Sequence, residues 1–86
     1  MKLLKIISYP SQNQYNTKEL YYADGVITTW KNNLGKATYS LDLNRMLISG
    51  VKYANYAYFD TLKEAKYFLI NKKGTVSTKF GEMKFN

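Results

Sequence analysis

Six carboxylates, Glu19, Asp24, Asp42, Asp60, Glu64 and Glu82, are the acids this 86-residue chain offers for chemistry. It has no cysteine and no histidine. Without cysteine there is no disulfide, thiolate nucleophile or cysteine metal site. Without histidine the commonest general base and transition-metal ligand are missing. Zinc enzymes, Ser-His-Asp hydrolases and Cys-His catalysis are therefore excluded by composition. Asp24 is accounted for by a turn, and Asp60 and Glu64 by a helix start. The other acids share no motif spacing for a metal site or a carboxylate pair, and there is no glycine-rich phosphate loop. Lysine, arginine and tyrosine can still stabilise a phosphorane and shuttle protons, so a ribonuclease toxin is the residual catalytic class. The expectation is a non-enzymatic protein with no cofactor and no metal.

Binding chemistry is what remains. The net charge is +7, from twelve lysines and a single arginine, Arg45, against the six acids. Such a balance suits an anionic partner. Abundant Lys, Asn, Ile and Tyr also follow from an AT-rich coding sequence. One arginine is a poor toolkit for base readout, which favours the bidentate guanidinium fork. Aromatic residues make up 16% of the chain, with nine tyrosines, which argues against disorder. Exposed aromatics stack on bases or anchor protein interfaces. The candidate partner-binding residues are Tyr21, Thr28, Trp30, Lys31, Lys36, Arg45, Tyr56 and Tyr58.

The elements that must position these residues centre on Val51 to Lys73, a strand running into an amphipathic helix. Thr61 is the expected N-cap and Glu64 the N3 residue of a capping box. Leu62, Ala65, Phe68 and Leu69 give one apolar stripe. Lys72, Lys73 and Gly74 suit the C-terminus, with Gly74 taking the left-handed cap. Lys63, Lys66, Tyr67 and Ile70 form the outer side. A small domain with one helix must pack it on a sheet, so the remaining segments should be strands. Lys2 to Ser8 reads as a buried strand, and Pro10 to Thr17 as a polar loop. Asp24-Gly25 between β-rich runs predicts a two-residue type I′ hairpin, with Tyr22 opposite Ile27. A three-residue loop ending at Gly35 pairs Thr29 with Tyr39 and Ile27 with Leu41. One face then carries Leu20, Tyr22, Ile27, Thr29, Ala37, Tyr39 and Leu41. The other carries Tyr21, Val26, Thr28, Trp30, Thr38, Ser40 and Asp42. Asn44 to Gly50 fits a helical turn or a short strand. Thr75 to Phe85 reads as one or two strands broken near Gly81. The fold class is α+β: a single domain, residues 1–86, with a small antiparallel sheet, a meander of hairpins, packed against one helix in the C-terminal half.

Tyr58-Phe59-Asp60-Thr61-Leu62-Lys63-Glu64-Ala65, preceded by strands and Trp30, resembles the strand-to-helix junction of the plant ethylene-response DNA-binding domains. The likeness runs roughly from Val26 to Leu69. It implies a three-stranded sheet on a helix, with an Arg- and Trp-rich sheet reading the major groove. Ala57 stands where that family has glycine, and the arginines of its sheet are missing, so no DNA contact is carried over. The opening M-K-L-L-K-I-I is interrupted by Lys5 and lacks a cleavage site. No apolar run approaches a membrane span. A soluble, cytoplasmic chain without membrane contact is expected. Size and composition are similar to those of accessory proteins of phages and mobile elements in AT-rich bacteria. The expected function is binding a host protein or a nucleic-acid-handling defence complex, so as to inhibit or modulate it. The alternative is a direct nucleic-acid-binding domain using a Tyr/Trp/Lys surface.

Overall fold

The computed structural model describes residues 2–9, 16–31, 35–46 and 55–86. Seven strands and one helix run in the order β1 (Leu3–Tyr9), β2 (Asn16–Tyr22), β3 (Gly25–Lys31), β4 (Ala37–Asp42), β5 (Tyr56–Phe59), α1 (Leu62–Asn71), β6 (Gly74–Thr78) and β7 (Gly81–Phe85). The strands form one sheet in chain order, and every neighbouring pair is antiparallel. The protein is thus an α+β meander with its helix in the C-terminal half. No helix among the described residues is long and apolar enough to cross a membrane.

Alternation explains which face is buried. In β3 and β4 the pairs Ile27–Leu41 and Thr29–Tyr39 form as the loop length predicts. Leu41 lies opposite Ala57 and Tyr39 opposite Phe59, which carries the apolar row into β5. Side chains two residues apart share a face, so Ile27, Leu41, Ala57 and Phe59 make one floor, and all are buried. The helix lies on β3, β4 and β5 and buries Ala65, Phe68 and Leu69 against that floor, with Leu62 half-buried. Phe68 sits 5.8 Å from Phe59 and 5.5 Å from Phe85, ring centre to ring centre. Each aromatic pair of this kind adds about 0.5–1.5 kcal/mol beyond its buried area. Thr61 caps the helix by accepting a hydrogen bond from Glu64 N at 3.2 Å. The return bond of the capping box, from Thr61 N to the Glu64 carboxylate, is not made among the described residues.

Four sequence expectations are corrected. The first hairpin turns on Ala23–Asp24, not Asp24–Gly25, and Gly25 pairs with Tyr22. Lys72 is the one non-glycine with positive φ among the described residues. Neither Ala23 nor Asp24 is therefore left-handed, and the turn is not type I′. The displacement is two residues, an even number, so Leu20, Tyr22 and Ile27 still share a face. The helix ends on Lys72, not Gly74: Lys72 takes φ 53°, ψ 36° and its amide donates to Phe68 O at 2.8 Å. Gly74 opens β6 instead, opposite Phe85. The first strand is not buried. β1 is a sheet edge outside the helix footprint, and Leu4 and Ile6 are 61% and 51% exposed. The strand before the helix begins, among the described residues, at Tyr56 rather than Val51; residues 51–54 lie outside them.

The C-terminal segment resolves into two strands joined by a turn at Lys79–Phe80. Leu43 to Met46 is a turn held by Asp42, whose Oδ1 accepts from Asn44 N at 3.0 Å; residues 47–50 lie outside the description, as do 10–15 of the expected polar loop and 32–34 of the β3–β4 loop.

Candidate binding face

The sheet has one helix and two faces, so the face opposite α1 is left without a covering layer among the described elements. The ladders show what it carries. Trp30 lies opposite Thr17 and Thr38, and Tyr9 lies opposite Thr17. The next row runs Ile7, Glu19, Thr28, Ser40, Tyr58, Ser77 and Glu82 across all seven strands. The row beyond it holds Lys5, Tyr21 and Val26, with Asp42 opposite Tyr56 further along. An antiparallel sheet with a free face usually turns polar residues outward. This one presents Tyr9, Tyr21, Trp30, Tyr56 and Tyr58.

These aromatics are accessible. Trp30 is 43% exposed, Tyr56 45% and Tyr58 38%. Trp30 is accordingly not the core tryptophan of the fold. Its indole Nε1 donates to Ser40 Oγ at 3.0 Å, and Ser40 is buried although it belongs to this face. The bond fixes the ring against β4 and leaves its plane available. Tyr21 OH donates to Glu19 Oε1 at 3.3 Å, and the Lys5 ammonium lies 4.7 Å from the Tyr21 ring centre. Hydrogen bonding toward Glu19, then desolvation and the carboxylate's charge, raise the Tyr9 hydroxyl above the usual tyrosine range.

Of the expected partner-binding residues, Tyr21, Thr28, Trp30, Tyr56 and Tyr58 come together here. Lys31 does not, because alternation sends it to the helix side opposite Ala37. Lys36 precedes β4 and is exposed. Arg45 sits in the turn after β4, its Nε 3.8 Å from Asp42 Oδ2, beside Val26 and Thr28 in a small cleft. Charge on the open face is therefore balanced: Glu19, Asp42 and Glu82 against Lys5, Lys84 and Arg45. The excess of lysine is elsewhere. Lys18 and Lys31 rim a cleft of about 420 Å³ at the far end of β2 and β3. Lys63 and Lys73 rim another of about 350 Å³ between α1 and β6.

Sequence reasoning missed Tyr9 and Glu19, and placed Ser40 on this face correctly. The odd-numbered alternation Lys5, Ile7, Tyr9 would have found the first, had β1 been paired with β2. Comparison of the chain with protein-family models, with curated proteins and with solved structures finds no match.

Proposed function

We propose that this chain is a small non-enzymatic binding protein that docks its open sheet face on another protein. The observation that supports this reading is the separation of aromatic surface from charge. A nucleic-acid surface interleaves stacking rings with cations that follow the phosphates. Here the rings stand on a face whose strands carry Glu19, Asp42 and Glu82 against Lys5 and Lys84, while Lys18, Lys31, Lys63 and Lys73 lie toward the helix side. Protein interfaces favour this composition, with Trp and Tyr as anchors and lysine depleted. The partner would be a host protein or a nucleic-acid-handling defence complex, held stoichiometrically and so inhibited or modulated. That extension is supported by size and composition, which are similar to those of phage and mobile-element accessory proteins.

The test pairs the native chain with a Trp30→Ala, Tyr58→Ala variant in affinity capture from bacterial lysate. The expected result is a protein partner at near-equal stoichiometry that the variant loses while keeping its thermal unfolding transition. Capture of nucleic acid instead, with a steep loss between low and high salt, would replace the reading with direct nucleic-acid binding.

A further inference from the structure

Glu19 stands out in a chain so rich in lysine. It is half-buried on β2, next to the edge strand of the open face, and makes no ion pair among the described residues. The nearest ammonium on the same face, that of Lys5, lies over the Tyr21 ring instead. The carboxylate is held in place by Tyr21 OH at 3.3 Å. Trp30 is its diagonal neighbour across the β2–β3 ladder, next to Thr28, roughly 7–8 Å away by sheet geometry. Tyr9 is the corresponding diagonal neighbour on β1, and it is 48% exposed. An oriented carboxylate with acceptor capacity to spare, flanked by the accessible rings of Tyr9 and Trp30, has the chemistry of an organic-cation receptor. Rings attract the cation through their quadrupoles, and the carboxylate supplies a charge-assisted hydrogen bond.

We infer that Glu19, Tyr9, Tyr21 and Trp30 form a receptor for the cationic head of an arginine or lysine side chain presented by the partner protein. This rests on the docking reading above and names the chemistry of its anchor. The Tyr21 hydroxyl pre-orients the carboxylate, so the incoming cation does not have to order it. Trp30 flanks the cation, and its Nε1 is already committed to Ser40, which leaves the ring face as its contribution. The site selects a basic protein segment and rejects phosphate, which would meet the Glu19 charge head-on.

Trp30 is the only tryptophan in the chain, so its fluorescence reports directly on the site. Hexa-arginine, hexa-lysine, hexa-glutamate and dodecathymidine are titrated into the folded protein at about 0.1 M salt, where the Debye length is about 10 Å. A saturable change in Trp30 emission is expected with one or both cationic peptides and with neither anion. Glu19→Gln, which keeps the size and an acceptor for the Tyr21 hydroxyl, should weaken the binding at least about tenfold. Glu19→Asp should keep most of it. Glu64→Gln, the same charge change on the helix, should alter it less than about twofold. A Glu19→Gln protein that still melts cooperatively but binds the peptides as well as the native chain would overturn the inference. So would tighter binding of dodecathymidine than of either cationic peptide. If neither peptide binds but Trp30→Ala, Tyr58→Ala still loses the captured partner, the receptor is wrong and the docking face stands.

Discussion

A Cβ built on Gly25 would lie 2.8 Å from Leu69 Cδ1. That distance joins the first residue of β3 to a fully buried residue of α1, since Leu69 is 0% exposed. Gly25 also has φ 151°, where L side chains are strained. The close approach lets the helix settle on the start of β3. Gly25→Ala should therefore destabilise the protein through both overpacking and backbone strain, by about 1–3 kcal/mol. Urea denaturation measures it. A midpoint unchanged from the native chain would show that Leu69 moves aside freely.

Trp30→Ala should cost far less than a core truncation. The indole is partly exposed and leaves no enclosed cavity, so the expected loss is about 1 kcal/mol, mostly the bond to Ser40. Leu41→Ala, at a 1% exposed position, should cost about 2–5 kcal/mol. Thermal melts of the two variants side by side check the face assignment. Equal losses would mean that Trp30 is core.

Lys72→Gly should stabilise the protein. Lys72 occupies the left-handed cap at φ 53°, a conformation that costs a side-chain-bearing residue about 1–2 kcal/mol. Glycine relieves that strain and keeps the amide bond to Phe68 O. It gives up unfolded-state entropy and the Lys72 Nζ bond to Leu69 O at 3.3 Å. A net gain of about 0.5 kcal/mol is expected in chemical denaturation. A loss would show that the ammonium's bond outweighs the strain.

Tyr9 should ionise later than a free tyrosine. Hydrogen bonding toward Glu19 favours the protonated phenol in the folded state. A group whose pKa is raised on folding contributes stability below its unfolded value and loses it as pH climbs through the folded one. The contribution is therefore present at neutral pH and fades above about pH 10. Spectrophotometric tyrosinate titration of the native chain minus Tyr9→Phe isolates it. Glu19→Gln should bring that component back toward the ordinary range; no movement would remove Glu19 as the cause.

Local patterns carried much of this fold, and the misses share a cause. Thr61, Glu64 and the stripe through Leu69 are contiguous signals, and the helix formed where they placed it. The Ile27–Leu41 register followed from the short loop ending at Gly35. Gly25, by contrast, looked like a turn residue, because nothing within five residues reveals that Leu69 packs on it. Leu3, Leu4 and Ile6 read as core because an apolar run cannot say whether its strand is central or at an edge. The helix is only ten residues long, and where it lies across the sheet is a long-range property. Glu19 was invisible as a site for the same reason. Its partners Tyr9 and Trp30 come from separate strands, and the β1–β2 register that unites them includes an irregularity between Leu3 and Lys5. Lys72 shows the opposite case, in which the need to begin β6 at Gly74 overrides the local preference for glycine at the cap.

The strict chain-order arrangement of the strands bears on how quickly the protein reaches its native state. Each strand finds its mate next door in sequence, so loop-closure costs stay small and sequence separation between contacts stays low. Sheet proteins with distant pairings fold over milliseconds to seconds. This one should refold faster than other sheet proteins of its size, zipping outward from the β3–β4 hairpin. The slowest step should be the joining of β5 to β6, because α1, which separates them in the chain, has to form and dock on the sheet first.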